Sequence, residues 1–145
     1  MQRQLRIKPK LDILTRVSKA VLFKKKSFLM ASWHLTYKCN LRCKYCHFWE
    51  RKVNELETAE AYKIIKELNL CKVKIIVFSG GESLLRDDFP SIIKNCKRSG
   101  MFVSLNTNGT LLEDRIRDIQ MIDAVKISLD EPEDVNDSIR GKRCF

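Results

Sequence analysis

The sequence predicts an α/β domain built on a parallel sheet. After a first strand that leads into a cysteine-rich loop, segments with strand and helix patterns alternate three times. Such alternation is typical of parallel strands joined by helical crossovers. Glycine-rich or polar segments follow the predicted strands, at the end of a parallel sheet where α/β proteins place their chemistry.

Composition limits the class of protein. The 145 residues suffice for one domain with a core and are too few for two of ordinary size. With 44% hydrophobic and 32% charged residues, the chain is globular rather than disordered. No apolar run approaches the roughly 18 residues of a membrane span, and the N-terminus lacks a secretory signal pattern. We therefore expect a cytoplasmic protein, in which thiols serve metals or catalysis more often than disulfides.

The positive charge is concentrated in the first third of the chain. Residues 1–52 carry fourteen Lys or Arg and two acids, whereas residues 53–145 carry fourteen and sixteen. A nucleic-acid-binding domain would be basic over its binding surface, so this distribution argues against nucleic acid as a partner. We divide the chain into a basic N-terminal extension, residues 1–27, and a domain of residues 28–145.

The extension is predicted to contain an amphipathic helix from Pro9 to about Lys26. Apolar positions share one helical face and charged positions the other: Ile13, Leu14, Val17, Ala20 and Val21 against Asp12, Arg16 and Lys19. We expect the apolar face to pack onto the domain that follows. The alternative is a weak contact with an anionic membrane surface.

The domain is predicted to contain four strands and three helices, recognised by apolar periodicity and by capping or glycine signals. The predicted strands are Phe28–Tyr37, Val73–Phe78, Met101–Leu105 and Ala124–Leu129. The first helix begins at an N-cap Thr58 and runs to about Leu70, and the second begins at Asp87 or Asp88 and runs to about Arg98. The third passes through Leu112, Ile116 and Ile119.

Cys39, Cys43 and Cys46 follow the first strand with spacings of three and two intervening residues. Thiolates this close repel one another unless a metal neutralises them, so the loop is predicted to hold a metal or a cluster. A four-iron cluster normally takes four cysteines, and three ligands therefore leave one iron free to bind something else.

Two other metal sites match parts of this loop. Structural zinc takes Cys3His sets, although His47 directly follows Cys46 and adjacent ligands are strained on one ion. The segment from Cys43 to His47 also matches the C-x-x-C-H pattern of c-type haem attachment, which would leave Cys39 unused and require export.

The Cys-x3-Cys-x2-Cys loop, with Tyr45 just before the third cysteine, resembles the signature of the radical S-adenosylmethionine (radical SAM) enzymes. The resemblance implies a [4Fe–4S] cluster on Cys39, Cys43 and Cys46, with S-adenosylmethionine on the fourth iron. It also implies reductive cleavage of that cofactor to a 5′-deoxyadenosyl radical, with a ferredoxin or flavodoxin as one-electron donor. A cluster-binding protein without catalysis is the alternative.

The resemblance extends to the segments that follow the other strands. Gly80-Gly81-Glu82 resembles the family motif that meets the methionyl amino group, for which a carboxylate is a suitable acceptor. The remaining residues implied at the cofactor are Tyr45 beside the adenine, Asn106 at a polar strand end, Ser128 at the ribose, Asp130 beside it, and Arg140 on the cofactor carboxylate. Cys71 and Cys96 are predicted to be small buried hydrophobes, and Cys144 to be inert.

Cores of this family resemble a partial barrel of six strand–helix units, of which residues 28–145 supply about four. The predicted fold is therefore an incomplete partial (β/α) barrel with parallel strands, preceded by the amphipathic helix. We expect a fragment, or a chain completed at its exposed fourth strand by self-association or by a partner chain.

Overall fold

The structure, a computed structural model, describes residues 7–23, 28–130 and 133–141, so the prediction for Cys144 lies outside it. Its helices and strands are α1 (Ile7–Phe23), β1 (Met30–Thr36), α2 (Thr58–Leu70), β2 (Ile75–Gly80), α3 (Phe89–Arg98), β3 (Phe102–Thr107), β4 (Ala124–Ile127) and α4 (Glu133–Arg140). Short 3-10 helices, Phe48–Glu50 and Ser83–Leu85, follow β1 and β2. None of the described helices combines the length and apolar content that crossing a bilayer requires.

The four strands form one sheet in the order β1-β2-β3-β4, and every neighbouring pair is parallel. This arrangement confirms the predicted fold class. Because the strands are parallel, their carboxyl ends lie at one edge of the sheet, and the segments after them are neighbours. β1 and β4 are the two outer strands of the described sheet.

The core lies between one face of the sheet and the helices α2 and α3. Alternate side chains of β2 and β3 point into it, and α2 and α3 contribute Ile65 and Ile92 among others. Phe78 on β2 meets Phe89 at the start of α3 edge to face, with ring centroids 5.3 Å apart. The opposite sheet face carries more polar side chains, including Ser104 and Asn106 of β3, which are half-buried.

Helix α1 contacts the domain through its charged side. The Arg16 guanidinium donates to the Lys72 carbonyl oxygen over 3.1 Å, and Asp12 pairs with Lys74 at 3.4 Å. Leu14 and Val17 of the predicted apolar face are instead 63% and 42% exposed. The expectation that the apolar face packs onto the domain is therefore wrong. The helix also begins two residues before Pro9. Proline has no N–H, and the first turn tolerates it because the backbone nitrogens of that turn have no intrahelical acceptor. The predicted end of the helix at Lys26 lies outside the described residues.

The N-cap of α2 differs from the prediction, whereas α3 has Asp88 at its N-cap and ends at Arg98, as predicted. The N-cap of α2 is Glu57, which forms a reciprocal capping box with Glu60. Thr58, the predicted cap, donates its hydroxyl to Asp88 over 2.7 Å instead. Asp88 occupies the N-cap of α3 without a side-chain cap bond, because Arg86 also holds its carboxylate.

The predicted third helix is replaced by successive turns over residues 110–121. Its backbone bonds mix spacings, since Arg115 N–H donates to Leu111 and Asp118 N–H donates to Arg115. By contrast, helix α4 was not predicted from the sequence. Cys96 is fully buried, as predicted, and burial raises the pKa of its thiol to about 12. Cys71 is exposed at the end of α2, and its predicted burial is wrong.

Candidate cofactor site

The cysteine loop leaves the carboxyl end of β1 and carries three free, half-buried thiols, those of Cys39, Cys43 and Cys46. Burial raises the pKa of the Cys43 thiol, and the neighbouring thiols of Cys39 and Cys46 raise it further, while Arg140 acts in the opposite direction. The other two thiols are thus close enough to oppose the ionisation of Cys43. A cationic iron–sulfur core would relieve that repulsion, so the donor set fits a cluster.

The described part of the chain contains no group of three or more His, Cys, Asp or Glu side chains placed to hold a single metal ion. His47, the fourth ligand of the zinc alternative, points its ring nitrogen at the Glu50 carboxylate at 3.1 Å, and its side chain is 74% exposed.

Aromatic rings support the part of the loop that follows the cysteines. Phe48 stacks on Tyr37, with centroids 5.6 Å apart, and meets His34 of β1 edge to face at 4.9 Å. The guanidinium of Arg51 lies 5.5 Å from both the Tyr37 and Phe48 rings. These contacts hold the segment after the cysteines against the carboxyl end of β1.

The glycines of Gly80-Gly81 allow the end of β2 to lie against the first residues of the cysteine loop. A Cβ on Gly81 would be 2.1 Å from the Lys38 carbonyl oxygen, and one on Gly80 would be 2.5 Å from the Thr36 carbonyl oxygen. The same two carbonyls accept backbone bonds from Glu82 N–H and Gly81 N–H, each at 2.8 Å. The two glycines thus permit a close approach between two backbone segments.

Glu82 is fully buried at the centre of this arrangement. Its carboxylate accepts hydrogen bonds from the Leu84 N–H at 3.1 Å, the Thr107 hydroxyl at 2.9 Å and the Asn108 N–H at 2.9 Å. The glutamate therefore joins the end of β2 to the end of β3. Its role at the cofactor amino group stays a prediction.

Asn108, rather than Asn106, connects β3 to the cysteine loop. Its side-chain amide donates to Asn40 over 2.9 Å and lies 3.9 Å from the Cys39 sulfur. Asn106 is half-buried on the sheet face away from the core helices, paired in register with Lys126. The polar residues at the end of β3 marked this segment in the sequence, but they could not show which asparagine turns toward the thiols.

The segment after β4 contacts the other side of the cysteine loop. The Asp130 carboxylate accepts from the Tyr45 hydroxyl at 3.0 Å and pairs with Arg140 at 2.8 Å. Arg140 also lies over the Tyr45 ring at 5.7 Å, and its backbone oxygen is 3.8 Å from the Cys43 sulfur. The structure thus brings together three of the predicted residues, Tyr45, Asp130 and Arg140. Ser128 is near them in sequence, and its N–H donates to the Thr107 carbonyl oxygen at 2.9 Å.

Several buried polar side-chain atoms lack a hydrogen-bond partner among the described residues. Those in or directly next to the predicted site residues are Arg140 Nε, Ser79 Oγ before Gly80, and Ser83 Oγ after Glu82. Unpaired buried donors are rare, and each needs an explanation such as a ligand. A cofactor that carries a carboxylate would fit the free N–H of Arg140.

The sequence model of the radical SAM superfamily matches residues 33–145, from the first strand through the cysteine loop to the end of the chain. This chain belongs to the radical SAM superfamily. Members use a [4Fe–4S] cluster and S-adenosylmethionine, which are the cofactors predicted for the thiol loop.

The curated relatives of this radical SAM chain carry the names of different enzymes. Pre-heme d1 synthase of Dinoroseobacter shibae is 37% identical over 75% of the chain and 28% of its own length. Fe-coproporphyrin III synthase of Methanosarcina barkeri is 32% identical over 77% of the chain and 29% of its own length. A probable GTP 3′,8-cyclase of Methanococcus maripaludis is 42% identical over 66% of the chain and 34% of its own length. The chain therefore spans about a third or less of these relatives.

Solved radical SAM structures share the fold. SuiB of Streptococcus suis, bound to S-adenosylmethionine, superposes with a TM-score of 0.71 at 19% identity, over 88% of this chain and 32% of that one. The anSMEcpe structure with bound S-adenosylmethionine gives a TM-score of 0.63 at 22% identity, over 79% and 36%.

Proposed function

We propose that this chain binds a [4Fe–4S] cluster and S-adenosylmethionine and cleaves the cofactor reductively. The observation that carries the proposal is the set of three free thiols on one loop at the carboxyl ends of four parallel strands. When bound, the two cofactors supply one-electron cleavage of the sulfonium to methionine and a 5′-deoxyadenosyl radical, which takes a hydrogen atom from a substrate.

The chain's own residues have three roles in this proposal. Cys39, Cys43 and Cys46 would hold the cluster through their thiolates. The free N–H of Arg140 supports its role at the cofactor carboxylate, where a guanidinium offers a fixed charged donor. Asp130 would orient that guanidinium through its ion pair.

Some expectations accompany the proposal. The electron comes from a small donor such as a ferredoxin or flavodoxin, in the cytoplasm, and the catalytic domain is residues 28–145 with residues 1–27 as an extension. The relatives are named for different reactions, so no substrate is assigned.

The test is anaerobic reconstitution of the chain with iron and sulfide, followed by S-adenosylmethionine and dithionite. We expect 5′-deoxyadenosine and methionine in equal amounts, and none from Cys43→Ala. If a chain with full iron content binds the cofactor and forms no deoxyadenosine, catalysis by this chain is contradicted.

That outcome would favour a second function, a cluster-binding fragment or subunit without activity of its own. The observation in its favour is that the chain spans 28–34% of the curated relatives named above. Adding, as a separate chain, the part of such a relative that this chain does not match would then restore cofactor cleavage.

A further inference from the structure

Helix α1 presents an apolar face that the described part of the chain leaves uncovered. Leu11, Leu14 and Leu22 are 63%, 63% and 74% exposed, and Val17 is 42% exposed. Their spacing of three, three and five residues puts them on one side of the helix. The other side contacts the domain through Asp12 and Arg16, so the exposed leucines do not result from a detached helix.

The chain around this face is strongly basic. Residues 1–26 contain nine Lys or Arg and a single acid, Asp12. Among the described residues, Lys19 on the charged side of α1 and Lys72 in the turn that α1 contacts have exposed side chains. The one acid of the extension is already paired with Lys74. The segment that carries the leucines therefore has a strongly positive net charge.

Two more apolar side chains are exposed at the start of β1. Phe28 is 75% exposed and Met30 is 61% exposed. The residue between them, Leu29, accepts backbone bonds from Lys74 and Ile75 at 2.9 and 3.0 Å, and Lys74 is the residue that pairs with Asp12. Helix α1 and the start of β1 therefore both contact Lys74, at the amino-terminal edge of the sheet.

We propose that this basic apolar face, formed by α1 and residues 28–30, binds the surface of an anionic lipid bilayer. Leucine and phenylalanine side chains would enter the boundary between headgroups and acyl chains, while lysines meet the lipid phosphates. A second copy of the chain fits less well, because pairing two such faces would bring two strongly positive segments together. A nucleic acid would neutralise the charge but would leave the leucines in water.

The position of this face keeps the cofactor site accessible. The cysteine loop lies at the carboxyl ends of the strands, and α1 lies at their amino ends. The seven residues of β1 separate the two edges by about 20 Å, at about 3.3 Å per residue. A bilayer at α1 would therefore leave the thiol loop facing the aqueous side.

Flotation of the full chain with two kinds of vesicle tests the proposal. The vesicles are phosphatidylcholine alone and phosphatidylcholine with about one-third phosphatidylglycerol, a charge density at which each basic residue near the surface contributes about fivefold in binding. We expect partitioning at least about tenfold stronger on the anionic vesicles, and a loss of binding as salt is raised. Equal binding to both vesicles, or no binding to either, would overturn the proposal.

Matched variants separate the apolar contribution from the charge. Leu11→Gln with Leu14→Gln and Leu22→Gln keeps the net charge and the helix propensity, and is expected to lower partitioning about tenfold or more. Leu70→Gln, at a leucine that is 64% exposed on α2, is the control and should change nothing. Circular dichroism and iron content should be unchanged in both.

Three results would contradict the bilayer assignment. If the triple variant binds vesicles as strongly as the unmodified chain, the binding depends on charge alone and not on the leucines. Self-association abolished by the triple variant, without vesicle binding, would assign the face to a second copy. Binding to random duplex DNA that exceeds vesicle binding and is insensitive to the leucines would assign it to nucleic acid.

Discussion

The thiol of Cys43 interacts electrostatically with both other cysteines of the loop, and its sulfur lies 3.8 Å from the Arg140 carbonyl oxygen. We predict that the reconstituted chain holds about four irons, the content of a [4Fe–4S] cluster, and that Cys43→Ala abolishes binding. Iron and sulfide analysis with the absorbance spectrum provides the measurement. Cys71→Ala, at an exposed thiol on the end of α2, is the control and should keep all the iron.

Glu82 is predicted to support both folding and cofactor binding. Glu82→Gln replaces an acceptor of three hydrogen bonds with an amide whose NH2 group would face donors, so we expect a loss of about 1–3 kcal/mol in unfolding free energy. The cluster should remain, and S-adenosylmethionine should bind more weakly by calorimetry. The exposed Glu113→Gln is the matched control. Unchanged cofactor binding would reduce the role of Glu82 to joining two strand ends.

The site residues that could be predicted are those that a short sequence pattern marks. Three cysteines in eight positions and a Gly-Gly-Glu turn are readable without a structure. The sequence did not show that Asn108 turns toward Cys39, or that Asp130 sits between Tyr45 and Arg140. Those contacts join residues 69 and 85 positions apart, and only the register of the strands brings them together.

The contact between the end of β2 and the cysteine loop depends on the absence of a side chain. Gly81→Ala would place a Cβ 2.1 Å from the Lys38 carbonyl oxygen, so the backbone of the loop or of β2 must move. We predict a loss of about 3 kcal/mol or more, measured by urea unfolding, together with weaker cluster retention.

Gly100→Ala separates this clash from backbone strain. Gly100 has a φ of +72° and nothing within 4 Å of an added Cβ, so its substitution should cost only about 1–2 kcal/mol and leave the cluster intact. Equal losses in the two variants would mean that the approach of β2 to Lys38 is not tight in solution.

The strands could be predicted because the apolar pattern of each segment is enough to indicate its burial. Contacts with distant residues are not needed for that inference. Ile76 and Phe78 lie in an apolar run that suits a central parallel strand. The segment of residues 110–121 shows where this reasoning fails. Arg115 there donates to the Arg86 carbonyl and pairs with Asp87, and such tertiary contacts favour turns over the regular helix that the apolar spacing predicts. Helix α4 was missed because its eight residues contain only two apolar side chains, Val135 and Ile139, too few to show a helical repeat.

At the scale of the molecule, β4 is an outer strand with exposed apolar side chains. Val125 and Ile127 are 42% and 47% exposed. The Ser128 N–H donates to Thr107, so the neighbouring Ile127 N–H faces away from β3. We propose that another chain, or a second copy of this one, pairs with this edge.

Light scattering and hydrogen exchange test the pairing. The isolated chain should self-associate, and Val125→Lys with Ile127→Lys should make it monomeric, whereas Leu70→Lys should not. A monomer in which the Ile127 amide exchanges slowly would contradict the proposal, because an uncovered edge cannot protect that donor.

The contact between Cys43 and Arg140 spans 97 positions of the chain, so the ribosome synthesises the cysteine loop well before Arg140. At a synthesis rate of about 5–20 residues per second, roughly 5–20 s pass between the emergence of the thiols and that of Arg140. During that interval the cysteine loop has neither Asp130 beside Tyr45 nor the Ile139 carbonyl that accepts from the Lys44 N–H. Iron and sulfide delivered to the nascent chain would meet an unsupported loop. We therefore expect stable cluster insertion to follow the synthesis of Arg140.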